Sequence, residues 1–72
     1  MQKGNLVKFN VPCIAKFCDM LGTKDFIIES DLYGLVVGQT KHPYTEQILL
    51  EIFAAGEVLF DVDPYDVKVV TR

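Results

Sequence analysis

The feature that most constrains this chain is the recurrence of short apolar runs with a period of two, each cut off by glycine, proline or aspartate. Such alternation puts successive side chains on opposite faces of an extended strand, so each run can bury one face and leave the other in water. In residues 6–11, Val7, Phe9 and Val11 alternate with Lys8 and Asn10, and Pro12 ends the run because it has no N–H to give to a ladder. In residues 33–40, Tyr33, Leu35 and Val37 share one face, while Gly34, Val36 and Gly38 share the other. Residues 46–53 align Ile48, Leu50 and Ile52, residues 58–62 align Val58, Phe60 and Val62, and residues 67–71 alternate again. Between the runs 46–53 and 58–62, Ala54-Ala55-Gly56-Glu57 is short enough to return the chain antiparallel. Asp63-Pro64-Tyr65-Asp66 reads as a single turn, with Asp63 as cap and Pro64 at its first position. Phe26-Ile27-Ile28-Glu29 reads as a further short strand or extended arm.

One stretch has a different period. Ile14, Phe17, Cys18 and Leu21 stand at i, i+3, i+4 and i+7, which predicts a two-turn helix over roughly residues 13–21, closed by Gly22. A helix that short is unstable alone in water, so its stripe is expected to dock on the sheet.

With 72 residues there is chain for one core only, so residues 1–72 are expected to form a single small domain. Domains of this size often need a staple. Cys13 and Cys18 are the only cysteines, and an offset of five on a helix does not bring two side chains together. Both are expected to be buried, reduced thiols. The pair could be combined with Asp19 and His42 as zinc ligands only against the usual spacing, so no metal and no cofactor is expected. Self-association is the staple that remains.

The composition bounds the function in the same way. Ten acidic residues against seven basic ones give a net charge of −3, and the lysines are scattered, which disfavours a nucleic-acid partner. No apolar run approaches the ~18 residues of a membrane span, and the first residues lack an apolar signal core, so a cytoplasmic location is the expectation. His42, the only histidine, lies in a Lys-His-Pro-Tyr turn with no partner placed for general-base work. Asp61, Asp63 and Asp66 fit no calcium loop and read as an acidic rim. There is no glycine-rich phosphate loop and no nucleophile elbow, which argues against an enzyme.

Many short strands, tight turns and bend-permitting glycines argue for a mainly β fold, a strongly bent barrel of five or six strands with one short α-helix inserted after the first strand. Three segments together resemble the SH3-like small barrel: Lys3-Gly4-Asn5-Leu6-Val7, Gly34-Leu35-Val36-Val37-Gly38, and residues 62–70 with Pro64 followed by Val67. In that family a single helical turn carrying a proline separates the last two strands. The peptide-binding members rely on a tryptophan, and this chain has none. The Sm-like barrel, a bent five-stranded sheet that assembles into rings, is the competing resemblance, although its helix precedes the first strand.

If Val7, Phe9, Leu35, Val37, Ile48, Leu50, Ile52, Val58, Phe60, Val62, Val67 and Val69 fill the barrel, then Leu6, Val36, Leu49, Phe53, Leu59 and Val70 are left outside it. Either the helix and the Phe26 arm cover this second apolar surface, or another chain does. The expected function is therefore a non-enzymatic protein-interaction or assembly module, one that binds itself included. Leu6, Leu49, Phe53, Leu59 and Val70 are its candidate interface. A nucleic-acid-binding small barrel is the alternative, resting on Phe9, Tyr33 and Tyr44 near lysines.

Overall fold

A computed structural model describes residues 2–70. Seven strands follow one another: β1 (Leu6–Phe9), β2 (Cys13–Asp19), β3 (Gly22–Ile28), β4 (Tyr33–Lys41), β5 (Ile48–Ala54), β6 (Glu57–Val62) and β7 (Val67–Val69), with a single 3₁₀ turn over Pro64–Asp66 before the last. They form one antiparallel sheet in the order β3-β2-β6-β5-β4-β1-β7.

The helix expected after the first strand is absent, and residues 13–28 form a β-hairpin in its place. Residues 13–19 satisfy period two as well as period 3.6: Cys13, Ala15 and Phe17 turn inward while Ile14, Lys16 and Cys18 turn out. The strand reading wins because it gains partners on both sides. Seven consecutive positions pair with β3, and Lys16 pairs with Phe60 of β6. Gly22 does end the segment in a left-handed conformation, φ +122, but it closes a turn over Met20 and Leu21 rather than a helix. Asp19 steadies that turn by accepting the Leu21 N–H at 2.7 Å. Inside the hairpin, Phe17 and Phe26 meet edge to face at 5.9 Å.

Nor does the sheet close into the expected barrel: its ends, β3 and β7, are not paired to each other. Closure would require those two to share a ladder, but β7 is only three residues long and already spends one side on β1. Open edges need protection from other chains. β3 has exposed Lys24 and Asp25 along it, and β7 is brief and holds exposed Lys68.

The core lies on the inner face of this bent sheet. Val7, Phe9, Val36, Leu50, Ile52 and Leu59 are its largest fully buried side chains, with Ala15, Ile28, Ala54, Val62 and Val67 around them. Two irregularities decide which residues reach it. In β4 the register against β5 shifts between Val36 and Gly38, and in β6 it shifts between Leu59 and Val62, where Asp61 takes φ +57. The extra residue of the second bulge lets Leu59 and Val62 both face inward although they are three apart. Val58 is thereby turned out, at 49% exposure, against the expectation that it would lie in the core.

β4 is also phased opposite to expectation, with Val36 inside and Leu35 outside. Gly34 explains the choice. It faces inward, where a Cβ would stand 2.5 Å from Ile52 Cγ2, so the glycine permits a close crossing of β4 over β5. The remaining turns follow their local chemistry. Ala55 and Gly56, at φ 53 and 78, make the tight β5–β6 connection, and Asp63 Oδ1 caps the 3₁₀ turn by accepting the Tyr65 N–H at 2.9 Å. The last position of the expected terminal run, Thr71, lies outside the described residues.

Candidate interaction surface

On the outer face the registers build a continuous apolar row. Leu6 pairs with Leu35, Leu35 with Phe53, and Phe53 with Val58, so four side chains from β1, β4, β5 and β6 stand side by side. The Val70 N–H donates to the Leu6 carbonyl at 2.9 Å, which sets Val70 beside Leu6 and carries the row to the β7 side. Directly opposed residues of antiparallel strands share a face with Cβ atoms about 4.5–5.5 Å apart, so these five are in lateral contact. Each is between 38% and 49% exposed, a share that one flank of a side chain packed on its neighbours leaves to solvent.

The row continues into a groove of about 420 Å³ lined by Cys18, Phe53, Gly56, Glu57, Val58 and Phe60. Nothing among the described residues lies over it. The segment expected to act as a lid is the β2–β3 hairpin, which extends the sheet and adds Ala15 and Ile28 to the inner side.

Of the residues expected at an interface, Leu6, Phe53 and Val70 belong to this row. Leu49 is on the same outer face, two positions beyond Glu51, and is half-buried. Leu59 is not at the surface at all: it is fully buried, because the β6 bulge turns it into the core. Leu35 and Val58 were assigned to the core by alternation and are instead members of the row. Gly34 carried a usable signal, since a glycine whose missing side chain permits a close approach marks the inner face and sends its neighbour Leu35 out.

Charges border the row at two corners. Lys8 pairs laterally with both Tyr33 and Lys68, its Nζ lies 5.9 Å from the Tyr33 ring centre, and it meets Asp31 at 3.4 Å. Across the row, Glu51 lies opposite Gly38 and accepts from the Thr40 hydroxyl at 3.1 Å. Beyond it, Lys16 donates to Asp25 at 2.9 Å, and that hydrogen bond, ahead of the Asp25 and Asp61 charges, raises the lysine's pKa.

The other chemically suggestive residues are occupied structurally. His42 Nδ1 accepts the N–H groups of Tyr44 and Thr45 at 3.2 and 3.3 Å, so it organises its own turn. Cys13 and Cys18 are free thiols whose odd offset along a strand sends them to opposite faces, the first half-buried and the second exposed rather than buried as expected. Burial, with Asp66 adding, pushes the Cys13 thiol above its ordinary value. Among the described residues no three His, Cys, Asp or Glu side chains are grouped as metal ligands. No helix among them is long and apolar enough to cross a membrane.

Comparison of the chain with protein-family models, with curated proteins and with solved structures finds no match.

Proposed function

We propose that this domain is a non-enzymatic protein-interaction module whose working surface is the outer row Val70-Leu6-Leu35-Phe53-Val58. The observation that carries the reading is the alignment of five apolar side chains, from four strands and the residue that follows β7, on the face opposite the core. Scattered exposed apolar residues are ordinary on a protein surface; a contiguous apolar band bordered by charge is characteristic of interfaces. An aromatic near the centre of such a band, here Phe53, suits the anchor role.

The SH3-like resemblance gains support from the position of the Pro64–Asp66 turn, which stands between the last two strands as that family's proline-bearing turn does. An assembly role accords equally with a Sm-like relation. Two free thiols suit a reducing compartment such as the cytoplasm.

The test is a partner-capture comparison between the native protein and Phe53→Asp, with Ile27→Asp as a surface control on the hairpin. The reading requires that Phe53→Asp abolish capture while its far-UV circular dichroism stays native and the control stays competent. Equal capture by all three would refute it.

A second reading rests on the Lys8, Lys68 and Tyr33 group, a cationic and aromatic patch of the kind that stacks single-stranded bases. It predicts oligothymidine binding that falls steeply with salt and is lost in Lys68→Glu. Fluorescence anisotropy decides it, and its absence at low ionic strength removes it.

A further inference from the structure

The charge arrangement around the row says what kind of partner fits it. Taking Leu35 as the centre, Lys8 and Lys68 lie on one side of the row toward its β7 end. Glu51 lies on the other side, toward the β6 end, with Asp25 and Asp61 around Lys16 further along. The first corner carries one net positive charge, Lys8 and Lys68 against Asp31; the second carries two net negative ones, Glu51, Asp25 and Asp61 against Lys16. Two lysines directly opposed on adjacent strands repel, and among the described residues Lys68 has no ion-pair partner to relieve this. The surface therefore has a basic corner that lacks its counter-charge and, diagonally across the same apolar band, an acidic corner of opposite sign and twice the net charge.

We infer that the occupant of the outer row is a second copy of this chain, packed face to face about a two-fold axis that passes diagonally over Leu35. This rests on the reading of the outer face as the interaction surface. A two-fold axis lying in the plane of the face, perpendicular to the line joining the corners, sets each basic corner on the partner's acidic corner. The same operation crosses the two apolar rows near a right angle, with Leu35 of each copy at the crossing, which falls in the orthogonal class of sheet packing. The row is five side-by-side residues at about 4.8 Å each, and with a width of three outward residues the face offers on the order of 500 Å² per copy. Both copies together reach about 1,000 Å², the lower limit for a specific interface, so the dimer is weak, with half-association on the order of 100 µM. A domain with an apolar core of eleven residues and two free, unbridged cysteines gains from such a contact.

Sedimentation velocity from about 20 µM to 1 mM measures it, and a pair of charge reversals gives the specific test. In Lys68→Glu alone, both junctions of a symmetric dimer set acid on acid; in Glu51→Lys alone, the second corner loses its net negative charge and both junctions lose their attraction. Each variant should associate at least tenfold more weakly than the native protein. Mixed one to one, the two form one native junction and one in which the two introduced charges face each other as a pair, and association should return to within about threefold of native. Circular dichroism checks that each variant is folded. Should Glu51→Lys unfold, Lys68→Glu mixed with Asp25→Lys asks the same question. A strict monomer at 1 mM, or a mixture no better than its components, overturns the second copy as occupant. In that event a partner captured by the native protein and lost in Phe53→Asp would keep the broader reading alive with an unlike protein on the face; no such partner would end both.

Discussion

Val58 and Leu59 are neighbours in β6, and strict alternation assigns Val58 to the core and Leu59 to the surface; the bulge at Phe60–Asp61 inverts them. Truncating each to alanine separates the two arrangements. Leu59 is wholly buried, so Leu59→Ala removes three buried carbons, worth about 2.4 kcal/mol in transfer, and the cavity left behind raises the cost to about 3–4 kcal/mol. Val58 is about half exposed, so losing two of its carbons costs about 0.8 kcal/mol. A domain of this size is expected to hold about 4–10 kcal/mol of stability, so both variants stay foldable in the cold. Urea unfolding followed by tyrosine fluorescence, with a slope of about 1 kcal/mol/M, reads these as midpoint shifts of about 3 M and under 1 M. The scans belong below 5 µM, where association of the outer row cannot contribute. A Val58→Ala shift equal to or larger than that of Leu59→Ala would refute the bulge and the face assignment built on it.

Gly34→Ala should be destabilising by about 2–3 kcal/mol, because the new methyl meets Ile52 Cγ2 at 2.5 Å and the Phe53 carbonyl at 3.0 Å; thermal unfolding checks it, and a neutral result would deny the close β4–β5 crossing. Asp63→Ala removes the acceptor for the Tyr65 N–H and for Gln47 Nε2, and should cost about 1 kcal/mol by the same measurement. Cys18 should be alkylated by iodoacetamide well before Cys13 at pH 8, since Cys18 is exposed and the Cys13 thiol is pushed up by burial and by Asp66; mass mapping of the modified peptide settles the order. The same shift has a consequence for stability. The unfolded chain loses the Cys13 proton first, around the ordinary 9.0, and so binds fewer protons than the native state there. Stability should therefore fall as pH rises past about 9, and Cys13→Ser should flatten that fall; an unchanged slope in the variant would assign it to another group.

Residues whose role depends on near neighbours were legible in the chain. The inward residues Val7 and Phe9 of β1 and Leu50 and Ile52 of β5, the two-residue return at Ala55-Gly56 and the Asp63-Pro64 turn all follow from alternation or turn chemistry contained within a few positions, whereas Ile48 and Val69, expected inside, are exposed at the ends of their strands. Leu6 and Phe53 were likewise recoverable as outward residues, because each adjoins residues whose inward phase is unambiguous, and Val70 follows from alternation counted from the buried Val67. The segment 13–21 was not, since its apolar positions satisfy two periods at once and only pairing with β3 and β6 selects the strand.

Local pattern thus determined that the fold would be mainly β, with apolar residues to spare on a second face. Tertiary structure decided where those residues stand. In β4 and β6 both faces are apolar, so alternation carries no phase, and the phase was set instead by the room Gly34 leaves under Ile52 and by the residue inserted at Asp61. Those two choices buried Leu59 and Val36 and turned Leu35 and Val58 outward, completing a row that no single strand encodes. The physical reason is that a row across a sheet is a property of register, and register is a relation between strands distant in sequence.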